Sequence, residues 1–128
     1  MLARGHRLTN DKEIKALVRT GQTFFLSQML IKYRFYGPDK KTKVAFVVST
    51  KIDKRAVIRN RVARRLREAF RALLPDIKNG YLVLIIAKKS ILDLEYNEIK
   101  KQLIFALSRI RIYHLSAGRS STKNTQKS

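Results

Sequence analysis

The sequence predicts an α+β domain, a two-layer sandwich with the element order α-β-β-α-β-α. Three observations lead there. Apolar residues recur at helical spacing in three separate stretches. Residues 24–36 and 44–48 alternate or are rich in β-branched side chains, and Tyr81–Ala87 is an unbroken apolar run bounded by turn signals. With 128 residues and no internal repeat, the chain suits one domain, expected over 1–117. Gly118–Ser128 has no large apolar residue and is expected to be a disordered basic tail.

Each element has a local reason. Asn10 can cap a helix, with Glu13 three positions on. Ile14, Leu17 and Val18 then share a face and Gly21 stands at the C-terminal stop, predicting a helix over 11–20. In the next stretch Met29, Ile31, Tyr33 and Phe35 alternate with Leu30, Lys32, Arg34 and Tyr36, the pattern of a half-buried strand. Gly37-Pro38-Asp39 is turn chemistry, and Val44–Val48 is a second strand. These two strands are expected to pair as an antiparallel hairpin. Met29, Ile31, Tyr33, Phe35, Val44, Phe46 and Val48 would then face the core. Leu30, Lys32, Arg34, Ala45 and Val47 would lie on the other face, which is either a solvated outer surface or a groove mixing apolar floor and cations. Pro75 and Asn79-Gly80 separate the basic helix from Tyr81–Ala87, a run expected at the centre of the sheet. Asp93 is the expected cap of a last helix carrying Ile99, Leu103, Ala106, Leu107 and Ile110 on one side. The helices are expected to pack on one face of the sheet.

The most informative stretch is Lys51–Leu74, with nine Lys or Arg against Asp53 and Glu68. On a helical wheel Val62, Ala63, Leu66, Ala69, Phe70, Leu73 and Leu74 form a core-facing stripe, and Arg61, Arg64, Arg65, Arg67 and Arg71 occupy the opposite arc. A face kept only for solubility mixes signs for i,i+4 pairing, which a single Glu cannot provide. Arginine's planar fork also suits bidentate contact with phosphate. Arg59 falls in the middle of the apolar stripe, where an unpaired guanidinium would be costly. Its place is therefore either ahead of the helix or where the stripe opens onto a groove, near the N-terminal amides that favour phosphate. The preceding loop adds Lys51, Lys54 and Arg55.

Composition narrows the function. There are 29 Lys or Arg against 9 Asp or Glu, a formal net charge of +20. Such a charge points to a polyanionic partner, nucleic acid before an anionic membrane, since the basic helix lacks a wide aromatic wedge. No helix-turn-helix signature points to DNA. The chain has no cysteine, hence no disulfide or thiolate site. His6 and His114 fall in terminal segments, and no acids are spaced for metal ions, so no catalytic or metal-binding residue is expected in the protein. No signal-peptide pattern or membrane-length apolar run is present, and a cytoplasmic location is expected.

At Arg59-Asn60-Arg61, followed by Arg64 and Arg67-Glu68-Ala69-Phe70, the chain resembles the protein subunit of bacterial ribonuclease P. Lys51 and Ala56-Val57 match as well, and the resemblance extends over about residues 7–110. It implies a fold like the second domain of ribosomal protein S5, with a left-handed β-α-β crossover through the RNR helix, against the general right-handed rule. It implies an accessory subunit of an endoribonuclease whose RNA subunit is catalytic and holds Mg²⁺, and which removes the 5′ leader of precursor tRNA. Under this resemblance Lys51, Lys54, Arg55, Arg59, Asn60, Arg61, Arg64, Arg65 and Arg67 would contact RNA. Ile14, Val18, Leu30, Lys32, Arg34, Ala45 and Val47 would line a cleft for the leader. The chain departs from the family in three places. The loop at Ile52-Asp53-Lys54-Arg55 lacks the usual glycine and is one residue longer. Ala63 replaces a usual Lys, with Arg65 nearby. Ile14, Val18 and Lys32 stand where the family often has aromatics, so phosphate attraction is expected to outweigh base stacking.

Overall fold

The computed structural model describes residues 4–113. Its main elements are α1 (Asp11–Thr20), β1 (Gln22–Phe25), β2 (Met29–Phe35), β3 (Lys43–Val47), α2 (Ala56–Leu73), β4 (Tyr81–Ala87) and α3 (Tyr96–Arg109). Short 3₁₀ turns occupy Arg4–His6, Leu74–Asp76 and Lys89–Asp93. The strands form one mixed sheet in the order β1-β2-β4-β3. The α+β class holds, with differences in the sheet and in the layers. The expected tail at 118–128, with His114, lies outside the described residues.

The expected β2–β3 hairpin does not form. β4 lies between them, antiparallel to β2 and parallel to β3. The reason is the apolar run itself: Leu82, Val83, Leu84 and Ile85 are all buried, so β4 must be covered on both faces and flanked on both edges. The stretch from Phe24 onward also divides into two strands. Gln22–Phe25 folds back on β2 through Leu26–Gln28, with Phe25 opposite Leu30 and Thr23 opposite Lys32. That turn has neither Gly nor Pro. It is held from outside: Lys88 N–H donates to Gln28 O at 3.0 Å, Lys88 Nζ to Leu26 O at 2.7 Å, and Ser90 Oγ to Ser27 O at 2.9 Å.

Helices cover both faces of the sheet, contrary to the one-sided packing expected. α2 and α3 pack over Met29, Ile31, Val44, Val83 and Ile85 to form the main core. α1 lies on the opposite face, where Leu17 and Leu8 close over Leu82 and Leu84. These four side chains would otherwise be exposed, because β4 is apolar on both faces. Phe35 was expected in the core but is 52% exposed; β2 outruns the helical layer there, and the ring rests edge-on against Tyr81 at 5.3 Å.

The helix ends follow local chemistry. Glu13 N–H donates to Asn10 Oδ1 at 3.1 Å, as the cap predicts. Gly21 ends α1 by close approach, since a Cβ there would meet Leu17 O at 2.5 Å. For α3 the cap is Glu95, with Glu98 Oε1 accepting from its N–H at 2.9 Å. Asp93, the expected cap, instead closes the preceding 3₁₀ turn. Ile99, Leu103, Ala106 and Leu107 are buried as their spacing predicts. No helix among the described residues is long and apolar enough to cross a membrane.

Candidate nucleic-acid interface

Two surfaces meet the description of an RNA interface, and β3 with its following loop joins them. The first is α2 with the loop before it. Val62, Leu66, Ala69, Phe70 and Leu73 are buried, which fixes the rotation of α2 and turns Asn60, Arg61 and Arg64 out to solvent. Ile52 is buried as well and anchors the loop to the core.

The cations here divide by what already holds them. Arg55 is paired with Asp53 through two parallel bonds, Nε to Oδ1 at 3.0 Å and Nη2 to Oδ2 at 2.9 Å. Asp53 Oδ1 also accepts the Arg55 backbone N–H at 2.8 Å, an Asx turn leading into α2. Those hydrogen bonds hold the Asp53 carboxyl down to about 2 and raise the Arg55 guanidinium. Asp53 thus organises a loop that contains no glycine. Arg59 Nη1 donates to Asp53 O at 3.0 Å and Lys54 O at 2.8 Å. Its awkward position on the wheel is resolved because the loop folds back over the first turn of α2, inside which Arg59 lies, and gives the guanidinium two carbonyls. Arg65 turns toward the start of α3, with Nη1 at 3.4 Å from Leu94 O, and Arg71 pairs with Glu68. Among the described residues no hydrogen bond or ion pair engages the side chains of Lys51, Lys54, Arg61, Arg64 or Arg67. These five carry charge that the fold does not use.

The second surface is the part of the α1-side sheet face that α1 leaves open. Ile14 is half-buried beside the small core under α1, and Val18, further along the helix, is 46% exposed. Across the sheet, pairing aligns Thr23, Lys32, Leu84 and Ala45 in one row. The next row is Phe25, Leu30, Ile86 and Val47. Lys32 is half-buried, its Nζ donating to Thr23 Oγ1 at 2.9 Å. Arg34 is exposed at the α1 end, Nη1 at 3.5 Å from Thr20 Oγ1. All seven expected cleft residues therefore share this side of the sheet. Phe25 and Ile86 were not anticipated there. Their face could be assigned only once the turn at Leu26–Gln28 and the β2–β4 register were known. Among the described residues no group of three or more His, Cys, Asp or Glu could hold a metal ion.

Unopposed arginines on one helix, beside a partly apolar sheet face carrying cations, define an RNA-binding α+β domain. The model of the family described as Ribonuclease P matches residues 2–111. A ribonuclease P protein component of Picosynechococcus sp. is 30% identical over 113 residues, covering 88% of this chain and 97% of that protein. One from Oceanobacillus iheyensis is 35% identical over 98 residues, covering 77% and 80%. In fold, the chain is similar to the Staphylococcus aureus RNase P protein, with TM-score 0.77, 19% identity and coverage of 87% and 100%. It is also similar to the Thermotoga maritima RNase P protein, with TM-score 0.72, 22% identity and coverage of 80% and 96%. The chain belongs to the bacterial ribonuclease P protein family, and its general role is that of the protein subunit of this tRNA-processing ribonuclease.

Proposed function

We propose that this protein binds the catalytic RNA of ribonuclease P through α2 and its preceding loop, and holds the 5′ leader of precursor tRNA on the open sheet face. The observation that carries this reading is the set of five uncommitted cations on the loop and α2, in a chain of net charge +20. Lys51, Lys54, Arg61, Arg64 and Arg67 meet phosphate directly, with Asn60 between them, while Arg55 and Arg59 shape the loop and present their remaining donors. Arg65 is a weaker member of the set, being turned toward Leu94.

The leader lies across Leu30, Lys32, Ala45 and Val47, flanked by Ile14, Val18 and Arg34. In this reading, as the family resemblance implies, the RNA subunit would hold the Mg²⁺ that would supply the phosphodiester chemistry. The protein's own part is to position the leader and to screen repulsion between two polyanions. The reaction it serves is endonucleolytic removal of the leader, in the cytoplasm.

The β3–α2–β4 crossover is left-handed in this reading. Support comes from one bond: Tyr36 N–H donates to Gly80 O, so the β4 residues facing α1 are those that bond β2. For L-residues this arrangement sets β2 left and β3 right of an upward β4 viewed from α2. A connection over that side from β3 to β4 runs leftward.

Reconstitution with the cognate RNA subunit at low Mg²⁺ tests the proposal. The protein should stimulate cleavage of leader-bearing precursor tRNA; no stimulation, or equal binding of unrelated structured RNA, would leave only a general RNA-binding module.

A further inference from the structure

We propose that Phe25 is a base-stacking platform for one leader nucleotide at the outer end of the open sheet face; this rests on the leader reading above. The ring is 69% exposed, the same fraction as Val57 and well above the other exposed aromatics, Phe35 and Phe105 at 52%. Register with Leu30, Ile86 and Val47 makes it the end of an apolar row that crosses all four strands, roughly 14 Å at ordinary strand spacing. A lone exposed Phe would need no explanation. An exposed ring ending a row whose other end, Val47, leads into the basic loop before α2 does.

Three features favour single-stranded RNA as the occupant. Cations border the row: Lys32 lies in the adjacent row, and Lys88 Nζ is 5.9 Å from the Phe25 ring centroid. An aromatic face beside cations suits a splayed nucleotide, with the base on the ring and the phosphate near the ammonium. The platform is also held in advance. Lys88 and Ser90 pin the Leu26–Gln28 turn, and Phe24, the preceding residue, packs half-buried against the main core on the opposite face. Little ordering is therefore needed on binding. Ile14, Val18 and Lys32 carry no ring, so Phe25 supplies from β1 the stacking surface those positions lack.

The test uses reconstituted holoenzyme and precursor tRNAs whose leaders lengthen one nucleotide at a time, with 2-aminopurine at each leader position in turn. Wild-type protein should gain affinity at one particular length, with the probe quenched at that position. Phe25→Ala and Phe25→Leu should each remove that gain, about tenfold, and relieve the quenching, while Phe25→Tyr keeps both. Binding of leaderless tRNA should not change, and an unchanged unfolding midpoint confirms that the fold is intact. Retention of the length-dependent gain in Phe25→Ala overturns the proposal. So does a change confined to self-association of the free protein, which would make the row a contact between copies. If wild-type protein gains nothing from any leader, the leader reading itself fails, and that result is distinct from a failure of Phe25 alone.

Discussion

Arg59 and Arg61 are two positions apart on α2, yet their guanidiniums have different duties. Arg59 gives Nη1 to two loop carbonyls, whereas Arg61 has no partner among the described residues. Arg61→Ala should lower the slope of log affinity for the RNA subunit against log salt by about one unit without lowering stability. Arg59→Ala should also lower the unfolding free energy by about 1–2 kcal/mol, through loss of charge-assisted bonds. Salt titrations and denaturant melts of both variants separate the two effects, and equal melts would show that Arg59 does not hold the loop. Asp53 adds a pH dependence. Its carboxyl is held down to about 2 in the folded protein, so its stabilisation is complete above the ordinary carboxylate value near 4 and lost as pH falls through about 2. Asp53→Asn keeps an oxygen for the Asx turn but abolishes the ion pair. The wild-type advantage over this variant should therefore shrink between about pH 4 and pH 2, measured as the difference in urea midpoints.

At the scale of elements, α1 limits how much of the sheet face stays open, and its two ends set its position. Asn10→Ala removes a cap bond and should cost about 1 kcal/mol. Gly21→Ala should cost more, because the added methyl meets Leu17 O at 2.5 Å and Tyr33 O at 3.2 Å, both backbone atoms. Displacing α1 in this way should also weaken leader-dependent affinity more than affinity for leaderless tRNA; equal losses would separate α1 from the cleft. Helices were legible in the sequence because their apolar stripes are local, as is the Asn10 cap of α1; the cap of α3 lies two residues beyond the expected Asp93, at Glu95. The arginine face of α2 was legible for the same reason, since one wheel sorts core from surface. Strand pairing was not local. The alternation in β2 correctly separated its faces up to Phe35, but nothing within 24–36 marks a turn at Leu26–Gln28, whose partners Lys88 and Ser90 lie about sixty residues away. Phe25 went unread as a result. In the sequence Asp53 stands out only as one of two acids in a basic stretch, within a loop without glycine; its bonds to Arg55 are visible only in the loop geometry.

For the whole molecule, the same charge should act in opposite senses on folding and on binding. A net charge of +20 on 128 residues is self-repelling, and few acids are available to offset it: the described ion pairs include Asp53 with Arg55, Glu68 with Arg71, and Glu13 with Lys43 at 4.0 Å. Added salt screens the repulsion over about 10 Å at 0.1 M, so the free protein should melt higher at 0.3 M than at 0.02 M monovalent salt. RNA binding should weaken over the same range, because each phosphate contact loses its counterion-release gain. The two dependences share a cause and, on α2, the same residues. Replacing Arg61, Arg64 and Arg67 together with Gln should raise the low-salt melting temperature of the free protein, as three unopposed charges leave the helix. It should also flatten the salt dependence of RNA binding by about three units. Thermal melts and filter-binding titrations on one preparation measure both. A triple variant that melts lower at low salt would show that these arginines stabilise the free fold, and that the excess charge on α2 is not reserved for an RNA partner.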